Sequence, residues 1–81
     1  MKFKIEKCKN KDGISVKPLT KVNLNFKKLK QRFEVKVDTP IILIINKEGE
    51  IIIHNYGDLL FKELKNKDKI KVIADEIYKN G

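Results

Sequence analysis

Two isoleucine-rich runs, Ile41 to Ile45 and Ile51 to Ile53, constrain this chain more than any other feature. Consecutive β-branched residues favour strands over helices. The polar loop Lys47-Glu48-Gly49 between them marks a hairpin. Alternate side chains of a strand point to opposite faces. Ile41, Leu43 and Ile45 therefore share one face, and Ile42 and Ile44 the other. Across the turn, Ile51 and Ile53 share a side, while Ile52 and His54 share the opposite one. An antiparallel sheet with one wet face would carry polar residues on that face. This hairpin is apolar front and back. Burying four isoleucine-sized side chains is worth about 6–12 kcal/mol, so leaving either face wet is a large loss for so short a chain.

One face has its cover within the sequence. In "NLNFKKLKQRF", Asn25 is a candidate N-cap, and Phe26, Leu29 and Phe33 recur at i, i+3 and i+7. In "NKDKIKVIADEIYKNG", Asp68 is a candidate N-cap, and Ile70, Ile73, Ala74 and Ile77 form one stripe, with Gly81 past the C-cap. These spacings predict two amphipathic helices. Further strands come from period-two alternation. "KFKIEKC" (Phe3, Ile5) and "ISVKPL" (Ile14, Val16) form an N-terminal hairpin around "NKDG", where Gly13 can adopt a positive φ. Pro18 places its strand at an edge or ends it there. "EVKVDTP" sets Val35 and Val37 on one side. "NYGD" is a second turn around Gly57, and "LLFKEL" reads as a third meander strand rather than a helix capped by Asp58. The expected fold is α+β: one domain over residues 1–81, an antiparallel sheet of about five to six strands, with two helices packed on one face. The second face, with Ile42, Ile44 and Ile52, has two candidate covers: the N-terminal hairpin or a second copy of the chain in a homodimer.

Charge is unevenly spread. Residues 1–36 carry 12 basic and 3 acidic side chains, and residues 37–81 carry 7 basic and 8 acidic. A basic half invites polyanions. Lys17, Lys21, Lys27, Lys28, Lys30 and Arg32 are the candidate phosphate-holding, nucleic-acid-binding residues. Arg32 is the single arginine, and base-specific contacts favour arginine. Bidentate phosphate clamps favour arginine too, so its scarcity counts against a nucleic-acid reading. Richness in lysine also has a source unrelated to binding. Lys, Ile and Asn have A/T-rich codons, and Lys/Glu enrichment is a thermophile-like signal.

Catalytic chemistry is sparse. The lone cysteine, Cys8, cannot form an internal disulfide, which fits a reducing, cytoplasmic setting. The N-terminus lacks the apolar stretch of a secretory leader, and no apolar run approaches the ~20 residues that cross a membrane. His54, the only histidine, cannot build a Cys/His metal cluster and reads as an ordinary strand residue. Glu48, Glu50 and Asp58 flank the two turns and could gather Ca²⁺, although their spacing matches no EF-hand. Tyr56 and Phe61 could stack a base, although core or turn packing accounts for them better. Without a nucleophile–base pair or paired catalytic carboxylates, the chain is expected to be a non-enzymatic binding module directed to nucleic acid through its basic N-terminal half, with an assembly domain dimerising through the apolar sheet face as the alternative; no cofactor or metal is expected.

The segment "RFEVKVDTPIILIINKEGEIIIHNYGDLLFKELKNKDKIKVIADEIYKNG" resembles half of a TATA-binding protein core. The likeness lies in its Arg-Phe start, three-stranded meander, glycine turn, charged linker and C-terminal helix. It covers about two thirds of the chain. The resemblance implies one repeat of a saddle that a homodimer would rebuild, with the second sheet face as the concave surface. That family kinks DNA with phenylalanine wedges. The matching positions here are Val37 and His54, so the resemblance does not carry over DNA bending.

Overall fold

The isoleucine runs pair in the register their alternation demands. In a computed structural model that describes residues 2–7 and 13–80, β4 (Ile42–Asn46) and β5 (Glu50–His54) form an antiparallel hairpin. Ile44 faces Ile52, and Ile45 faces Ile51. Glu48 (φ 54°) and Gly49 (φ 121°) close the three-residue turn. Ile41 lies outside the strand and is exposed, so the face expected to hold Ile41, Leu43 and Ile45 holds only the last two.

The hairpin sits inside a six-stranded, wholly antiparallel sheet of order β1-β2-β6-β5-β4-β3. β1 (Phe3–Lys7) pairs with β2 (Ile14–Pro18), and β2 pairs in turn with β6 (Leu59–Phe61). The two strands of the N-terminal hairpin therefore widen the sheet in its own plane, and among its described residues none folds over the second face. β2 is internal and ends at Pro18, as the missing N–H requires. The segment 59–61 is a strand, as the closely spaced turns predict. β3 (Glu34–Asp38) forms the other edge, and a bulge interrupts its pairing with β4. Val35 faces Ile45, but Val37 faces Ile44. The extra residue turns Val37 onto the opposite face from Val35, contrary to the simple alternation of "EVKVD".

α1 (Phe26–Arg32) and α2 (Lys67–Asn80) cover one face only. Two cross-strand rows meet them: Ile45–Ile51–Phe61–Ile14 and Leu43–Ile53–Leu59–Val16. All eight are buried with Leu29 and Phe33 at α1 and Ile70, Ile73, Ala74, Ile77 and Tyr78 of α2. Asn25 caps α1, its side chain accepting from Lys27 N at 3.0 Å. α2 is capped by Asn66, whose Oδ1 accepts from Asp68 N (3.0 Å) and Lys69 N (3.2 Å). Asp68, the expected cap, instead lies in the first turn, where its charge favours the helix N-terminus.

The sheet is tied to α2 at one point by a buried polar bond. The Tyr78 hydroxyl donates to the Gly57 carbonyl at 2.6 Å. Gly57 has φ 108°, and a Cβ there would collide with Val22 and Pro18. At Gly13 a Cβ would approach Leu60 and the Phe61 carbonyl closely. The rest of the "NKDG" turn and Cys8 lie outside the described residues.

Gly57→Ala is expected to cost about 2–4 kcal/mol, combining a strained φ with overpacking; urea denaturation reads this as a lowered midpoint. Burial, with a contribution from the Asp58 carboxylate, pushes the Tyr78 phenol well above its ordinary 10.0. The neutral phenol is the form the fold favours. Its stabilisation is therefore whole below pH 10 and is lost as pH rises toward the folded-state value. Tyr78→Phe should lose about 1–3 kcal/mol at pH 7 by orphaning the Gly57 carbonyl. The difference between Tyr78→Phe and wild type should then shrink above pH 10, by at most about 1.4 kcal/mol per pH unit. Denaturation at pH 7 and pH 11 tests both.

Candidate interface on the open face of the sheet

The face away from the helices is uncovered by any described element. One cross-strand row on it runs Val37–Ile44–Ile52–Leu60 before reaching Ser15 and Glu6 on the far strands. Ile42 faces His54 in the next row. Ile42, Ile44, Ile52 and Leu60 are half-buried, and Val37 is 43 % exposed. The three residues expected at an interface, Ile42, Ile44 and Ile52, are thus brought together, and Leu60 and Val37 join them. Leu60 was legible from the alternation of "LLF" once its pairing with β5 was known. Val37 was not, because a bulge leaves no mark on the sequence pattern.

Charged residues frame this aliphatic patch. Lys4 and Lys17 lie opposite one another on β1 and β2, beside Glu6. Lys4 Nζ is 3.0 Å and Lys17 Nζ 4.0 Å from the Glu6 carboxylate. The hydrogen bond and charge of Lys4 hold the Glu6 carboxyl below its ordinary value of 4.5. Glu50 pairs with Lys62 at 3.3 Å at the far end. Glu34, opposite Asn46, completes a face carrying both signs. Exposed pairs of this kind contribute little to stability. They leave the rim with charges of both signs. At the other end His54 stacks on Tyr56, with ring centroids 5.2 Å apart and planes 23° apart. Tyr56 is 57 % exposed, whereas Phe61 is fully buried in the core. The two aromatics therefore form no common stacking platform.

The six basic residues do not form one cluster. Lys17 lies on the open face, and Lys21 in the loop between β2 and α1. Lys27, Lys28, Lys30 and Arg32 ride on α1, in the helical layer on the opposite side of the sheet. Lys30 Nζ is bound to Asp38 Oδ2 at 2.8 Å. Among the described residues, no carboxylate comes within 4 Å of Lys21, Lys27, Lys28 or Arg32.

The acidic residues at the turns are likewise separated. Glu48 binds Lys69 at 3.0 Å at one end of β5, and Asp58 lies beyond the other end. Among the described residues, no three His, Cys, Asp or Glu side chains gather in a metal-holding group. Among the described residues, no helix is long and apolar enough to cross a membrane. No family model matches the sequence, and no curated protein or solved structure matches it.

Proposed function

We propose that the protein is a non-enzymatic assembly module whose open sheet face takes a second copy of the same chain. The observation that carries this reading is the uncovered row Val37–Ile44–Ile52–Leu60. The sheet's edges support it by contrast. β1 carries Lys4, Glu6 and Lys7 among its five residues, and β3 carries a bulge and charged residues. These are the usual guards against unwanted edge pairing. The face has no such guard at its centre, where a single lysine would have sufficed. Such an unguarded patch has the character of a surface meant to be covered.

Size and charge favour a like partner. Six strands about 4.8 Å apart, five of them five residues long and β6 three, give a face of at most roughly 24 by 17 Å. Two such faces would meet over roughly 800 Å² in total, the scale of a weak interface. The net charge of +8 opposes self-association in general. On this face, however, Lys4, Lys17 and Lys62 stand with Glu6, Glu34 and Glu50, so opposite signs can meet across a twofold axis. Modest area and long-range repulsion together place the dissociation constant in the micromolar range.

A second surface is favoured by a different observation. Lys28 and Arg32 are four residues apart on α1, so like charges share one helix face with no carboxylate near them. Such pairs cost a few tenths of a kcal/mol in a free helix, a cost that a bound polyanion reverses. Nucleic-acid phosphate is the partner this chemistry fits, with affinity falling steeply as salt rises. Flat, salt-independent titrations against duplex DNA would remove this second reading.

Sedimentation velocity between 10 and 500 µM tests the assembly reading. Wild type should move from monomer to dimer over that range, and Ile44→Lys should stay monomeric throughout. Because Ile44 faces away from the core, the variant should keep its stability to within about 1 kcal/mol. A wild-type monomer at the highest concentration contradicts the proposal.

A further inference from the structure

We infer that two copies joined through their open faces bridge two separate DNA duplexes. The inference rests on the assembly reading above and adds to it what α1 makes available. The protein is one sheet thick, with α1 on one side and the apolar row on the other. Any twofold axis that joins the open faces sends both α1 helices to the outer surfaces, pointing in opposite directions. Neither basic helix is blocked by the joint, and one duplex cannot readily reach both. The assembly thus becomes bivalent for whatever α1 binds.

The residues on α1 select the class of ligand. Lys27, Lys28 and Arg32 are exposed and lack a carboxylate, while Lys30 is held by Asp38 and is less free to leave it. Four cations over seven residues suit a closely spaced row of phosphates. Stacking on unpaired bases is not provided there: Phe33 is buried, and Phe26 is packed against the core. With Arg32 the only arginine, base-edge recognition is poorly served. The surface therefore fits the backbone of an intact duplex, without regard to sequence. Lysine contacts of this kind position a duplex and contribute salt-sensitive affinity.

The test uses duplex DNA immobilised on beads, with a second, fluorescent duplex in solution. At protein concentrations where wild type is dimeric, wild type should pull the fluorescent duplex onto the beads. Ile44→Lys and Ile52→Lys, checked for native circular dichroism, should bind a single duplex within about twofold of the wild-type monomer's affinity yet capture no second duplex. The triple variant Lys27→Ala/Lys28→Ala/Arg32→Ala should still dimerise. Its plot of log affinity against log salt should be flatter by about two to three units, at about 0.9 for each phosphate left without its cation. Bridging is overturned if dimeric wild type binds DNA without capturing the second duplex, or if Ile44→Lys captures it as well as wild type. In both cases the dimer itself survives. A wild-type monomer defeats the assembly reading and bridging together, and absence of salt-sensitive DNA binding by a dimer defeats bridging through its other premise.

Discussion

The pairing of β4 with β5 governs the rest of the molecule. Because side chains alternate with a period of two, the register Ile45↔Ile51 and Leu43↔Ile53 sends four aliphatic residues to the helices. The same register sends Ile42, Ile44 and Ile52 to the other side. A one-residue slip would exchange the two sets. It would also misplace Leu59 and Phe61, which continue the core rows onto β6. The polar three-residue turn and the buried Phe61 fix the register from either side. The helices can complete only one of the two faces that the isoleucines create, and the composition of the other face is a direct consequence.

Much of the fold could be read before the structure, and the reason is local. Alternation in "KFKIEK", "ISVKP" and "EIIIH" and helical spacing at Ile70, Ile73, Ala74 and Ile77 are short-range signals, and each marks an element that is present. What escaped was decided at longer range or by equal local alternatives. Asn66 and Asp68 are both competent caps, and only the position of the first helical turn selects Asn66. The bulge that turns Val37 over comes from the pairing with β4. Whether the N-terminal hairpin would fold over the sheet or extend it depends on β2 meeting β6, strands remote in sequence. That pairing puts the strands of the N-terminal hairpin in the sheet itself, and among the described residues no element covers the second face. The bond from Tyr78 to Gly57 was also unforeseen, since the helical stripe ended at Ile77 and the glycine turn gave no hint of a partner.

The basic residues illustrate the limit of composition as a guide. Their excess in the first 36 residues suggested one surface, yet the chain divides them between the sheet's open face, a loop and α1. The division gives each surface a separate character: nearly neutral and aliphatic on the sheet, cationic on the helix. In the proposed assembly the aliphatic face would be covered without hiding the charged helix. The repelling groups on α1 would then lie on the far side of each copy.

The most direct measurement mixes two preparations, one carrying ¹³C-labelled isoleucine and leucine methyl groups and one fully protonated and unlabelled, and records isotope-filtered nuclear Overhauser spectra at millimolar concentration. A sheet face covered by a like copy predicts intermolecular contacts from the methyls of Ile44, Ile52 and Leu60, and none from Ile45, Ile51 or Ile77. If Ile44, Ile52 and Leu60 show no intermolecular contact, while a soluble paramagnetic agent relaxes them as strongly as the exposed Val72, the central claim is contradicted.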